Sequence, residues 1–146
     1  MDPFGLCADS LKDKKGLCPG KLTDKEFDSV EHAAREHLSL VARKRVLDAL
    51  YGGRIRGGNL GGDEAHVSGL SPDVIRVNRS LSVFDQRLSV FNWDPQSLAR
   101  ILAHEDRHVQ QLANFGFFTR VLGGSSGFHA VLQQDADAYA QVNLQP

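Results

Sequence analysis

Residues 93–115 read WDPQSLARILAHEDRHVQQLANF, and the fold turns on what this stretch becomes. Asp94 ahead of Pro95 is a strong helix start. Its carboxylate accepts from the first free N–H groups, and proline at the first helical position gives up an N–H that has no partner there anyway. The pattern predicts a helix from Pro95 to about Phe115. Inside it His104 and His108 stand four residues apart, about 6 Å along the axis and some 40° round it, on one face. Leu98, Ile101, Leu102, Ala103 and Val109 surround the pair, so at least one imidazole has to point inward, where a polar group needs a partner.

Two imidazoles on one helix face can address a single ion. Zinc takes imidazole nitrogens at about 2.0–2.1 Å, and a catalytic site supplies three protein ligands and leaves the fourth position to water. Glu105, one step round from the first histidine, can hold that water and take its proton while the metal polarises a carbonyl; this division of labour is why H-E-x-x-H is a metallopeptidase signature. The plainer alternative is a histidine pair that covers the edge of a core and makes ordinary polar contacts. Asp106 and Arg107, between the histidines, are expected to form a solvated rim.

A third ligand decides between these readings, and the segment FHAVLQQDADAYAQV, residues 128–142, offers three. Phe128, Val131, Leu132, Tyr139 and Val142 recur at helical spacing, and Asp135 falls in the middle of that apolar face. An unpaired carboxylate there is costly, so Asp135 should have a cation. It is the favoured ligand, with a salt bridge to Arg107 or Arg120 as the alternative. Asp137, about 200° away, falls with Gln133, Gln134 and Gln141 on the polar side. His129 lies 100° off the Phe128 line, and His66 is a weaker choice still. Tyr139, one turn after Asp135, is a packed core residue or a donor to a developing oxyanion.

The rest of the chain frames this site. With 146 residues and 41% hydrophobic content, a single domain with a sizeable core is expected. Seventeen basic against eighteen acidic residues leave a formal charge of -1, which gives no footprint for nucleic acid or an anionic membrane. No apolar run approaches the roughly 20 residues of a membrane span, and no basic-then-apolar secretory signal opens the chain; if the domain is exported, something else carries it. Residues 1–22 read as a leader or linker, with Pro3, Gly5, Gly16, Pro19 and Gly20 and no period. Cys7 and Cys18 within it are either a small disulfide loop or two free thiols.

From Thr23, a capping-box residue with Glu26, one helix is expected to run through Phe27, Val30, Ala34, Leu38 and Val41 to Gly52. Residues 51–70 hold seven of the fourteen glycines and show no clear periodicity, as functional or mobile segments often do. DVIRVNRSL, residues 73–81, alternates as a strand, LSVFDQRLSVF suits a second, and the strand near Val74 to Val77 is expected to offer an edge for an extended substrate.

LAHEDRHVQQ resembles the zincin metallopeptidase helix, and QDADAYAQ resembles the downstream helix that supplies the third ligand in gluzincin-like enzymes. The likeness spans residues 94 to 143. It implies an α+β, zincin-like fold, mainly helical with a small sheet, and zinc held by His104, His108 and Asp135. Glu105 is then the general base and Tyr139 an assisting catalytic group. That family usually has glutamate where Asp135 aligns best, and another alignment puts there Gln133, which cannot be an anionic ligand. DPFGL, residues 2–6, is similar to the junction that closes the core of Rhs (YD-repeat) polymorphic toxins ahead of their C-terminal toxin domain. Together the two resemblances imply a leader over 1–22 and a zinc-peptidase toxin over 23–146. Such a toxin is freed from its Rhs carrier after Leu6, delivered into a target cell by a secretion apparatus and restrained in the producer by an immunity protein. A zinc amidase acting on cell-wall peptides, and a non-catalytic interaction module, are the competing readings.

Overall fold

A computed structural model describes residues 20–68, 71–79, 89–115 and 126–145. The expected capping box is present: Thr23 Oγ1 accepts from Glu26 N, and Glu26 Oε1 accepts from Thr23 N. It opens α1, Asp24–His37. The single long helix expected here is instead two, because Leu38 turns extended and α2, Leu40–Tyr51, starts afresh after Ser39. The break is made by the far end of the chain. Leu38 bridges Leu144, Ser39 N donates to Asn143 O, and Gln145 N donates to His37 O. These bonds take up backbone groups that a continuous helix would have used. Leu38 is fully buried at the junction, whereas Val41, assigned above to the core stripe, is 68% exposed.

The glycine-rich segment is not irregular throughout. It contains β1, Ile55–Gly58, and β2, Ala65–Ser68, which flank β3, Ser71–Asn78. β1 runs parallel to β3 and β2 antiparallel. Ile75 and Val77 of β3 are buried while Val74 and Arg76 are partly exposed, the alternation expected of a strand with one face on a core. β3 is therefore the central strand, and the substrate edge expected at Val74 to Val77 is occupied on both sides. Among the described residues β2 ends the sheet on one side; on the other, Gly57 of β1 exchanges backbone hydrogen bonds with Gly20. Gly20 and the buried Leu22, both in the stretch read as leader, are thus built into the domain.

Gly57 carries a packing role as well. Any Cβ on it would overlap the guanidinium of Arg79, which is 2% exposed and donates to Glu26 Oε1 and Lys21 O, both at 3.0 Å. The pair ties the start of α1 to the end of the sheet.

A 3-10 turn at Val90–Asn92 leads into α3, Pro95–Phe115, whose start matches the expectation: Asp94 Oδ1 accepts from Ser97 N and Oδ2 from Ser97 Oγ. Helix α4, Ser126–Asn143, follows. The described chain is thus mixed α+β, mainly helical with a small three-stranded sheet. α3 is its axis, packed on α1, α2, α4 and the sheet. Fully buried Ala33 and Ala34 on α1 and Ala99 and Ala103 on α3 allow close approach, with Val30, Val46, Ile75, Val77, Leu98 and Leu102 filling the space between. The second strand expected in residues 81–91 falls largely outside the described residues, as do Cys7 and Cys18.

α4 meets α3 through Leu132, Ala136 and Ala140, all buried, while Val131 and Val142 of the expected stripe are 59% and 77% exposed. The helix is rotated from the expected orientation, which places Gln133 and Asp137 on one flank of the contact and Asp135 and Tyr139 on the other.

Candidate metal centre

His104 and His108 do share one face of α3, and their Nε2 atoms stand 3.1 Å apart with the rings nearly perpendicular, at 81°. The other nitrogen of each ring is already committed. His104 Nδ1 is 2.8 Å from Asp137 Oδ1, and His108 Nδ1 is 2.7 Å from Gln111 Oε1. Both partners are acceptors, so each neutral ring carries its proton on Nδ1 and presents the Nε2 lone pair. A protonated His104 would donate to His108 Nε2, whereas with both rings neutral two lone pairs face each other at hydrogen-bond distance with no proton between them. Such an arrangement calls for a cation, and a separation of 3.1 Å lets both nitrogens reach one zinc ion, whose imidazole ligands stand at about 2.0–2.1 Å.

The surroundings fit that use. Burial pushes His108 below its ordinary pKa, against the hydrogen bond to Gln111, and so favours the neutral ring, the form that binds a metal. The bond to Gln111 is held in turn, since Gln111 Nε2 donates to Leu132 O at 3.0 Å and to Asp135 Oδ2 at 2.9 Å. Histidine ligands usually have their second nitrogen fixed in this way.

Glu105 sits beside the pair, and among the described residues the ligand atoms of His104, Glu105 and His108 form a group within 4.8 Å of one another. Its side chain is buried and Oε2 has no hydrogen-bond partner. Burial first, then the charges of Asp63 and Glu64, raise its pKa to about 8. An orphaned buried carboxyl oxygen next to two bare imidazole nitrogens is again a place for a cation and its water.

His104 and Glu105 open into a cleft of about 360 Å³. Gly62, Asp63, Glu64 and Ala65 form one wall, Arg100 and Ile101 lie on α3, and Gln133 and Asp137 of α4 close the other side. The first wall is fixed by the fully buried Asn78, whose Nδ2 donates to Gly61 O at 3.0 Å and to Asp63 O at 2.7 Å.

Asp135, the favoured third ligand, is not brought to this point. Its carboxylate is 2.8 and 3.3 Å from Arg107 Nε and Nη2, the salt-bridge alternative stated above, and that pairing lowers its pKa. Tyr139 lies on the same flank, its ring 5.0 Å from the Arg107 guanidinium and its buried hydroxyl without a partner. Asp137 lines the cleft but stands behind His104. His129 is exposed, and His66 is on β2 opposite Arg76, with its pKa lowered by burial and by that arginine. The solvated rim expected of Asp106 is also corrected: Asp106 is 3% exposed and accepts from Arg45 Nε at 2.7 Å and Nη2 at 3.1 Å, binding α3 to α2. Gln111 and Asn78 were not singled out by the sequence as site residues, and Gln133 entered only through the alternative alignment that puts it at the third-ligand position. Gln111 is three residues past His108, a spacing that carries the signal for a partner on the same helix face.

No protein-family model, curated protein or solved structure matches the chain. Among the described residues, no helix is long and apolar enough to cross a membrane.

Proposed function

We propose that the chain is a zinc-dependent peptidase domain of zincin-like fold, acting as the C-terminal toxin of an Rhs carrier. The observation that carries the metal half is the pair of Nε2 lone pairs at 3.1 Å, each ring fixed from behind by an acceptor. Zinc held there would supply a water whose pKa is lowered to about 7 and would polarise a carbonyl. His104 and His108 hold the metal. Glu105, buried and unpartnered at Oε2, takes the proton of the attacking water and returns it to the leaving amine. An extended peptide finds a partner in the outer edge of β2, whose first residue Ala65 lines the cleft, and main-chain pairing there draws the scissile bond past Glu105. The toxin half rests on DPFGL at residues 2–6, with Leu6 as the release site, a secretion apparatus for delivery into the target cell and an immunity protein as the restraining partner.

Glu105→Gln tests the reading. The variant should bind zinc as the parent does and lose both proteolysis and toxicity. Full activity in that variant removes the peptidase assignment. Cleavage of peptidoglycan fragments in place of intact proteins would make the enzyme a cell-wall amidase.

A further inference from the structure

We propose that Asp135 is a positioning residue for the metal centre: acting through the side-chain amide of Gln111, it keeps the His108 proton on Nδ1 and so keeps Nε2 bare. This rests on the metal reading above and deepens it, because the carboxylate expected as a ligand works one residue removed from the ion.

A primary amide can turn either its oxygen or its NH2 toward a ring nitrogen, and its other contacts decide which. Gln111 is 2% exposed, and its Nε2 donates to Leu132 O at 3.0 Å and to Asp135 Oδ2 at 2.9 Å. Turning this amide over would set its oxygen against a carbonyl and a carboxylate, neither of which has a hydrogen to give. Oε1 therefore faces His108, 2.7 Å from Nδ1, and accepts the ring proton there. The reversed amide would donate to Nδ1, move the proton to Nε2 and block the nitrogen that stands 3.1 Å from His104 Nε2.

Of the two acceptors that orient the amide, Leu132 O belongs to the backbone and Asp135 is set by the sequence. Arg107 aims it: Oδ2 accepts from Arg107 Nε at 2.8 Å as well as from Gln111, and Oδ1 accepts from Arg107 Nη2 at 3.3 Å. The two histidines are thus supported unequally, since His104 meets a carboxylate, Asp137, directly and His108 meets one only through an amide. What Gln111 needs from residue 135 is an acceptor, not a charge. Asparagine supplies it: with its oxygen in the Oδ2 position it still serves both Arg107 Nε and Gln111, whereas the flipped side chain would oppose both donors with its NH2. The Arg107–Asp135 pair is itself partly exposed, so its loss leaves the fold largely intact.

Two measurements on the full chain test this, with folding checked by circular dichroism. Long-range proton–nitrogen correlation spectra of the metal-free protein read the His108 tautomer, and competition with a chromophoric chelator reads zinc affinity. We expect the parent to carry the His108 proton on Nδ1. Asp135→Ala should gain an Nε2–H population and bind zinc about tenfold more weakly, while Asp135→Asn keeps the parental tautomer and an affinity within about threefold of the parent. A parent protonated at His108 Nε2 overturns the inference, as does parental affinity in folded Asp135→Ala. Equal losses in the two variants also overturn it, because they would trace the effect to charge. If Asp135→Ala does not fold, the parental tautomer and Asp135→Asn decide, and a loss of about tenfold in Asp135→Asn overturns it. The metal reading fails separately, by absence of zinc binding in the parent, and takes this role with it.

Discussion

Asp137 Oδ1 stands 2.8 Å from His104 Nδ1, and this contact determines which end of the imidazole faces the cleft. The carboxylate is exposed, with 68% of its side chain accessible, so it contributes little to holding the fold together. Its value lies in fixing a tautomer and a ring orientation. Asp137→Ala should therefore lower zinc affinity about 10- to 100-fold while changing unfolding free energy by less than about 1 kcal/mol. Paired chelator competition and urea titration measure the two; a large stability loss with unaltered affinity would make Asp137 a structural residue.

The Glu105 carboxyl gives the metal-free protein a pH dependence of known sign. Its pKa rises from the ordinary 4.5 to about 8 in the folded state. Between those values the unfolded chain is ionised and the folded chain protonated, so stability is lost as pH rises through that window, by at most about 1.4 kcal/mol per pH unit. Glu105→Gln removes the ionisation and should flatten the slope, leaving the variant more stable than the parent at pH 8 under chelator. Urea midpoints of both proteins from pH 5 to pH 8 check this, and parallel curves contradict it.

At Gly57 the backbone runs against the buried Arg79 guanidinium, where a Cβ has no room. Gly57→Ala should cost on the order of 3 kcal/mol, because Arg79 is held by Glu26 and Lys21 and moving it strands a buried charge. Thermal denaturation reads the loss. Gly61, where a Cβ meets nothing but φ is 62°, should tolerate alanine better, at about 1 kcal/mol.

What was legible in the sequence was local. The Asp94–Ser97 cap, the reach of α3 and the shared face of His104 and His108 follow from chemistry within a few residues. The break between α1 and α2 was not legible, because the groups that compete for the Leu38 and Ser39 backbone come from Asn143 to Gln145, a hundred residues away. β1 and β2 are four residues each, too short for a period to show among glycines.

The orientation of α4 was misread for a different reason. Its contact runs through Leu132 and the alanines Ala136 and Ala140, and alanines carry little weight in an apolar pattern, so a stripe drawn through Val131 and Val142 puts Asp135 at its centre. The true rotation brings Gln133 and Asp137 to the histidines and gives Asp135 to Arg107. Asp106 was misread likewise, since its partner Arg45 lies on another helix, beyond any spacing rule.

The central claim is that two ring nitrogens on successive turns of α3 bind one metal ion, and zinc stoichiometry of the purified chain tests it most directly. One equivalent per chain, removed by a chelator and absent in both His104→Ala and His108→Ala, is the predicted result. No bound zinc in the parent, or an equivalent that survives either substitution, would contradict it.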